Sequence, residues 1–277
     1  MFGLIQKCVP RRGLTRLAGF LASRRWGYLT RCFIRFFIRQ YQVDMSEAAQ
    51  SDYRQFPTFN AFFTRQLKPG ARVVADDPRV IVSPVDGSLG EVGFIRHETL
   101  MQAKGRYYSL AALLANQSRW VDCFSGGYFV SAYLSPKDYH RVHMPVAGRL
   151  REIIFVPGDY YSVNNSSIAS VDEVFARNER VICLFDTAYG ELAVILIGAM
   201  IVGSMVLSCC GELRSAQAGP ERRDFSDQRI EFDRGDELGY FQLGSSVVML
   251  FQSCVVDHCF PKPGDTLRMG QKLLQAV

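Results

Sequence analysis

The 277-residue chain is poor in the residues that usually advertise chemistry. It holds four histidines, and none of its eight cysteines stands in a Cys-x-x-Cys pair. The histidine count limits any imidazole base to His97, His140, His143 or His258. The closest cysteine pairs, Cys209-Cys210 and Cys254-x4-Cys259, read as structural thiols of a reducing compartment rather than as disulfides or metal ligands. There is no Gly-x-Ser-x-Gly, which removes the nucleophile elbow of α/β-hydrolases. No Met-Lys-Met or Asp-Lys-Ala is present, so a biotinyl or lipoyl carrier has no attachment lysine. Low-complexity stretches are missing too. With 48% hydrophobic and 21% charged residues, the chain has the make-up of a globular protein that buries a full core, one large domain plus an appendage.

What is present is concentrated near the C-terminus. Leu243-Gly244-Ser245-Ser246 lies between two strand-like runs, Tyr240-Phe241-Gln242 and Val247-Val248-Met249-Leu250-Phe251. The electrophile nearest the Ser245 hydroxyl is the carbonyl of Gly244, one bond upstream, and glycine neither hinders attack nor resists unusual backbone angles. Attack would move the acyl group from the Ser245 nitrogen to its oxygen. Loss of the α-proton with expulsion of the ester then leaves dehydroalanine, which tautomerises and hydrolyses to a pyruvoyl group on a new N-terminus.

That chemistry needs a base and an orienting group. His140 and His143 lie together in Tyr133-Leu134-Ser135-Pro136-Lys137-Asp138-Tyr139-His140-Arg141-Val142-His143-Met144-Pro145, and Asp86 sits in the turn Ser83-Pro84-Val85-Asp86-Gly87-Ser88. Asp86, His143 and Ser245 can supply orienter, base and nucleophile. Taken singly, each has a plain structural reading, as a turn former, a carbonyl cap or a strand serine. His97 and His258 read as surface residues.

Charge is distributed unevenly. Residues 1–43 carry nine cationic side chains and no acid, so the remaining residues net −4 of the overall +5. Leu29, Phe33, Phe36, Phe37 and Tyr41 fall near one side of a helix, with Arg31, Arg35 and Arg39 roughly opposite. The pattern predicts a helix lying in a membrane interface with its arginines at anionic headgroups; it is too charged to span. An Arg-rich targeting segment and a nucleic-acid patch are the blander readings, and phenylalanine at helical spacing speaks against the second.

Leu192 to Gly211 is twenty residues without a charge. Crossing a bilayer there would put His143 and Ser245 on opposite sides. The runs Val181–Phe185 and Leu192–Leu196 about Asp186-Thr187-Ala188-Tyr189-Gly190 read instead as a β-hairpin, and Gly198 and Gly203 break the remainder of the run into buried strand pieces. An internal echo is also visible. Ser83-Pro84-Val85-Asp86-Gly87-Ser88-Leu89 matches Met144-Pro145-Val146-Ala147-Gly148-Arg149-Leu150, and Val156-Pro157-Gly158-Asp159 matches Lys262-Pro263-Gly264-Asp265. A duplicated strand-turn-strand unit packed about a pseudo-twofold would bring Asp86 and His143 together. The expected fold class is α+β: a helical segment over 1–65 that associates with membrane, then a mostly antiparallel β domain over 66–277 with short helices such as 109–115.

Five segments in order resemble one family. Phe59-Asn60-Ala61-Phe62-Phe63-Thr64-Arg65, the Pro-x-Asp-Gly turn at Asp86, Asp138-Tyr139-His140-Arg141-Val142-His143-Met144-Pro145, Phe175-Ala176-Arg177-Asn178-Glu179-Arg180 and the Leu-Gly-Ser element resemble phosphatidylserine decarboxylases of the bacterial, membrane-associated type. The resemblance extends to Leu14-Thr15-Arg16-Leu17-Ala18-Gly19, which favours a retained segment over a cleaved leader. Many members read Leu-Gly-Ser-Thr where this chain has Ser246.

The resemblance implies self-cleavage between Gly244 and Ser245 by Asp86, His143 and Ser245, giving chains 1–244 and 245–277. It implies a covalent pyruvoyl group at Ser245 that does the work of pyridoxal phosphate, with no metal. Phosphatidylserine would bind as a Schiff base, lose CO2 and leave as phosphatidylethanolamine, with His140 as proton donor in the decarboxylation step. It also implies a peripheral position on the cytoplasmic side of a bacterial cell membrane, is compatible with a homodimer, and gives no role to nucleic acid. A serine hydrolase, a pyruvoyl decarboxylase of a soluble amino acid and a non-enzymatic carrier are the rivals. The second has no use for residues 1–43.

Overall fold

Helix α1 (Arg11–Ser23) and helix α2 (Tyr28–Tyr41) precede a 3-10 turn at Tyr53–Gln55 and the short α3 (Phe59–Phe63). The computed structural model describes residues 11–103, 105–199, 204–213, 219–242, 245–253 and 255–277, with backbone alone at 12, 165, 166 and 245. In α2 the buried residues are Thr30, Ile34 and Phe37, a stripe at helical spacing. Phe37 meets Phe59 and Phe62 of α3 edge-on, with centroids 5.0 and 6.0 Å away. A left-handed Gln42 ends α2, and the Thr58 hydroxyl caps α3 by accepting the Ala61 N–H at 3.1 Å. The apolar face expected of α2 is therefore divided: Phe37 turns into the core, while Leu29, Phe33 and Phe36 are 64%, 52% and 60% exposed. Among the described residues no helix is long and apolar enough to cross a membrane.

The rest is mostly antiparallel β-structure. Strands β1 (Val80–Val82), β2 (Gly87–Phe94), β3 (Thr99–Ala103) and β4 (Arg106–Ser109) lead into α4 (Leu110–Leu113) and α5 (Ser118–Phe124). Then come β5 (Tyr128–Leu134), β6 (Arg141–His143), β7 (Gly148–Val156), α6 (Asn165–Ile168), α7 (Val174–Arg177), β8 (Arg180–Thr187) and β9 (Gly190–Ile197). Beyond them lie β10 (Met205–Leu207), β11 (Gly211–Leu213), β12 (Glu221–Asp224), β13 (Glu231–Phe232) and β14 (Glu237–Phe241). The last four are β15 (Ser245–Phe251), β16 (Val256–Cys259), β17 (Thr266–Leu267) and β18 (Lys272–Ala276). The main sheet runs β12-β7-β8-β9-β15-β5-β2-β17, with β13 also on β7; smaller sheets are β11-β10-β14-β6 and β1-β18-β16.

The charge-free run is explained by this sheet. β8 and β9 form the expected hairpin, and Val181–Phe185, Leu192–Ile197 and Val247–Phe251 are each 3% exposed or less. Strands covered on both faces lose polar alternation, so they read as continuous apolar sequence. Each such side chain contributes roughly 1.5–3 kcal/mol by leaving water. Gly198 ends the run with its N–H on the Glu179 carbonyl at 2.9 Å; Gly203 lies outside the described residues.

The first internal echo is matched contact for contact. The Val82 N–H donates to the Pro145 carbonyl at 3.0 Å, and the His143 N–H donates to the Pro84 carbonyl at 2.8 Å. Gly270 and Gln271 bracket Ser83 with two backbone bonds, as Gly235 and Asp236 bracket Met144. β17 and β18 pair with β2 and β1 as β13 and β14 pair with β7 and β6. The second echo does not obey this symmetry. The Asp265 carbonyl that receives the Leu89 N–H corresponds to that of Ile230, which receives the Leu150 N–H, and not to Asp159. Its Pro-Gly-Asp likeness reflects turn chemistry alone.

Candidate active site

The turn after β1 aims Asp86 inward. The Ser83 hydroxyl closes it on the Val85 carbonyl at 2.8 Å, and a Cβ on Gly87 would lie 2.2 Å from the Tyr133 carbonyl oxygen, so only glycine fits there. The Asp86 carboxylate accepts the Met269 N–H at 2.8 Å and the Arg72 Nε–H at 2.9 and 3.2 Å, with Arg72 Nη2 closing a fork. Arg72 also binds Glu47 at 2.8 Å, and Glu47 receives Arg268 at 3.2 Å. The Asp86 hydrogen bonds, and after them those to Glu47, hold the Arg72 guanidinium above its ordinary value.

His143 is oriented by a different group from the one expected. A carbonyl can only accept, so Nδ1, 2.8 Å from the Gly235 oxygen, carries the proton. Nε2 then accepts the Tyr139 hydroxyl at 3.0 Å. Asp86 makes no hydrogen bond to His143. The two residues stand on turns that bond each other through backbone, and the Asp86 charge acts on the ring through space. Burial pushes the His143 pKa down; the Gly235 carbonyl and the Glu237 and Asp86 charges oppose the shift without reversing it. The imidazole is thus a neutral base with its lone pair on Nε2.

His140 is sealed completely and stacks on Phe63, with ring centroids 4.0 Å apart. Neither ring nitrogen makes a hydrogen bond of normal geometry. The Ser135 and Pro136 carbonyls favour its protonation, but burial and the Arg65 charge outweigh them and take the pKa to about 3. The His140 carbonyl receives the Phe241 N–H at 3.1 Å, so the end of β14 rests on it.

β15 begins at Ser245, whose backbone pairs with Leu134; Ser246 pairs with Tyr133 on one side and Ile197 on the other. Gly244 and the Ser245 hydroxyl lie outside the described residues. The Ser246 hydroxyl is buried without a hydrogen-bond partner and lines a cavity of about 260 Å³ with Ser88, Glu91, Gln102 and Ser131. Burial there raises the Glu91 pKa. His97 and His258 are exposed, as expected. Among the described residues no group of three or more His, Cys, Asp or Glu side chains is set to hold a metal ion.

Sequence reasoning missed Tyr139, Arg72 and Arg65. Tyr139 and Arg65 lie inside two segments already singled out, but nothing local marks a tyrosine as the partner of a histidine four residues on. Arg72 and Glu47 carry no motif; their pairing depends on the packing of residues 47, 72 and 268.

Comparison with known proteins draws these observations together. A model of the family described as phosphatidylserine decarboxylase matches residues 59–275, and a model described as PSD matches residues 1–42. The chain is 45% identical over 261 residues to the phosphatidylserine decarboxylase proenzyme of Coxiella burnetii, covering 93% of each chain. It is 44% identical over 281 residues to that of Sodalis glossinidius and 45% identical over 280 residues to that of Yersinia pestis, covering 99% of this chain and 95% of each relative. Spanning the β domain and the helical segment alike, these matches show that the chain belongs to the phosphatidylserine decarboxylase family.

Proposed function

We propose that this chain is a self-processing phosphatidylserine decarboxylase, cut between Gly244 and Ser245 into chains 1–244 and 245–277, with a pyruvoyl group derived from Ser245. Family membership supports the activity. The observation that carries the site is the direct backbone bonding of the Asp86 and His143 turns, residues far apart in sequence, beside the strand pair β6-β14 that leads to the junction. His143 Nε2, kept free of a proton by the Gly235 bond at Nδ1, takes the Ser245 hydroxyl proton once Tyr139 yields the lone pair. Asp86 supports this through its charge on the ring while Arg72 and Met269 fix it in place.

The residues present fit a keto group at the start of β15. The backbone of Ser246 is held by strands on both sides, so a new terminus at 245 would stay anchored. Such a group would supply a ketone able to hold the substrate's amine as a Schiff base and to draw off the electrons freed with CO2. His140 is the proposed proton donor. Being neutral where it lies buried, it becomes an acid only when a substrate oxyanion or solvent enters and favours its charged form.

The N-terminal unit, 1–65, is proposed as the membrane attachment and 66–277 as the catalytic unit. Leu14, Leu17, Phe20, Leu21, Leu29, Phe33 and Phe36 expose apolar surface on a segment rich in arginine, which suits peripheral binding to anionic lipid. The cytoplasmic face of a bacterial cell membrane is the proposed location. Intact-mass analysis tests the central reading: two chains with a ketone at residue 245 are expected, and Ser245→Ala, Asp86→Ala and His143→Ala should each stay whole. An active preparation of one unbroken chain would sink it.

A further inference from the structure

Arg65 follows Thr64, the C-terminal cap of α3, and is 5% exposed. Its Nη2 donates to the Lys137 and Asp138 carbonyls at 3.0 and 3.3 Å, yet Nε and Nη1, equally sealed, make no hydrogen bond. It forms no ion pair among the described residues. Asp138, whose backbone carbonyl it touches, spends one carboxylate oxygen on the Ser135 N–H and hydroxyl, each at 2.7 Å. The Asp138, Asp86 and Asp44 charges favour the cation only through space, and a buried cation held by no ion pair is costly, with buried donors that lack acceptors adding to the cost. Burial accordingly lowers the Arg65 pKa.

The surroundings point to what restores the balance. Arg65 lies close enough to His140 for its charge to oppose protonation of that ring, and Phe63, two residues before Arg65, stacks on the same ring. Asn60 on α3 bonds the Gln242 side chain at 3.4 Å, and Gln242 stands two residues before the proposed junction.

We propose that Arg65 binds an oxyanion of the serine headgroup, its carboxylate or its phosphodiester, through the spare N–H groups beside His140. This rests on the decarboxylase reading above. An incoming oxyanion would supply the missing acceptors, offset the buried charge, and favour the protonated form of His140 that proton delivery requires.

The test uses cleaved wild type, Arg65→Gln and Arg65→Lys, with cleavage of each verified by intact mass, and phosphatidylserine in mixed micelles as substrate. Wild type that is cut and active leaves the decarboxylase reading standing whatever Arg65 does. For cleaved Arg65→Gln, kcat/KM is expected to fall about 30-fold or more, mainly through KM, with part of the loss recovered in Arg65→Lys. A cleaved Arg65→Gln within threefold of wild type overturns the proposal. Should the glutamine variant stay whole, Arg65→Lys carries the test, since an unchanged KM there overturns it equally and a KM raised about fivefold supports it. Inhibition by phosphatidylethanolamine, which keeps the phosphodiester and lacks the carboxylate, identifies the oxyanion. Its inhibition constant rises along with KM in the variants if the phosphodiester is bound, and stays put if the carboxylate is.

Discussion

Two buried arginines in this molecule are treated in opposite ways. Arg180, the first residue of β8, donates to the carbonyls of Leu113, Ala176, Asn178 and Ala112 at 2.6–3.0 Å, and every nitrogen of its guanidinium has a partner. Arg65, beside the candidate active site, leaves two of three nitrogens unsatisfied. Burial lowers both, Arg180 to about 10. The first corner is a finished scaffold that ties α4, α7 and β8 together. The second has donor capacity and nothing in the described protein to use it, which is the mark of a place built for something that arrives later.

The sharpest way to break that comparison is to remove each guanidinium. Arg180→Met removes the donor from four carbonyls, of which that of Ala112 keeps the Ala115 N–H, and a loss of about 4 kcal/mol or roughly 10 °C in Tm is expected by thermal unfolding. Arg65→Met strands two carbonyls but also sheds a buried charge that no ion pair holds, so its Tm should shift by the equivalent of only about 1 kcal/mol. Equal losses at both positions would make Arg65 a scaffold residue too.

A smaller effect concerns the histidine beside Arg65. With His140 at about 3 in the folded protein and an ordinary value of 6.5, the unfolded chain binds more protons between those limits. Stability contributed by His140 is complete above about pH 6.5 and is lost as pH falls through that window, by roughly 1.4 kcal/mol per pH unit. His143, also lowered, acts in the same direction. His140→Phe should therefore show a smaller drop in Tm between pH 7 and pH 5 than wild type. An unaltered drop would mean that the ring is not neutral where it is buried. The smallest expected change in stability belongs to Leu29→Ser with Phe36→Ser on the exposed face of α2: unfolding within about 0.5 kcal/mol of wild type, but several-fold weaker binding to vesicles containing anionic lipid in a sedimentation assay.

Much of this was legible in one dimension. The β8-β9 hairpin could be read from apolar runs around a polar turn, and the pairing of the Asp86 and His143 turns from a seven-residue echo. Other features were not. The helical wheel grouped Phe37 with Phe33 and Phe36, since a wheel records which residues share a side and not which of them α3 will cover. Asp86 was expected to orient His143, a role that falls to the Gly235 carbonyl, and backbone acceptors have no signature in side-chain identity.

By itself, then, the amino-acid order determined the Gly244-Ser245 pair between two strand-like runs, the shortage of histidines that singles out His140 and His143, the antiparallel class and the arginine-rich N-terminal segment. These are properties of residue type, spacing and local geometry. Only the tertiary structure decided that Arg72 bridges Asp86 to Glu47, that His143 carries its proton on Nδ1, and that Arg180 is satisfied while Arg65 is not. Each of those depends on which polar atoms remain unmatched once distant segments have packed, and that balance exists only in three dimensions.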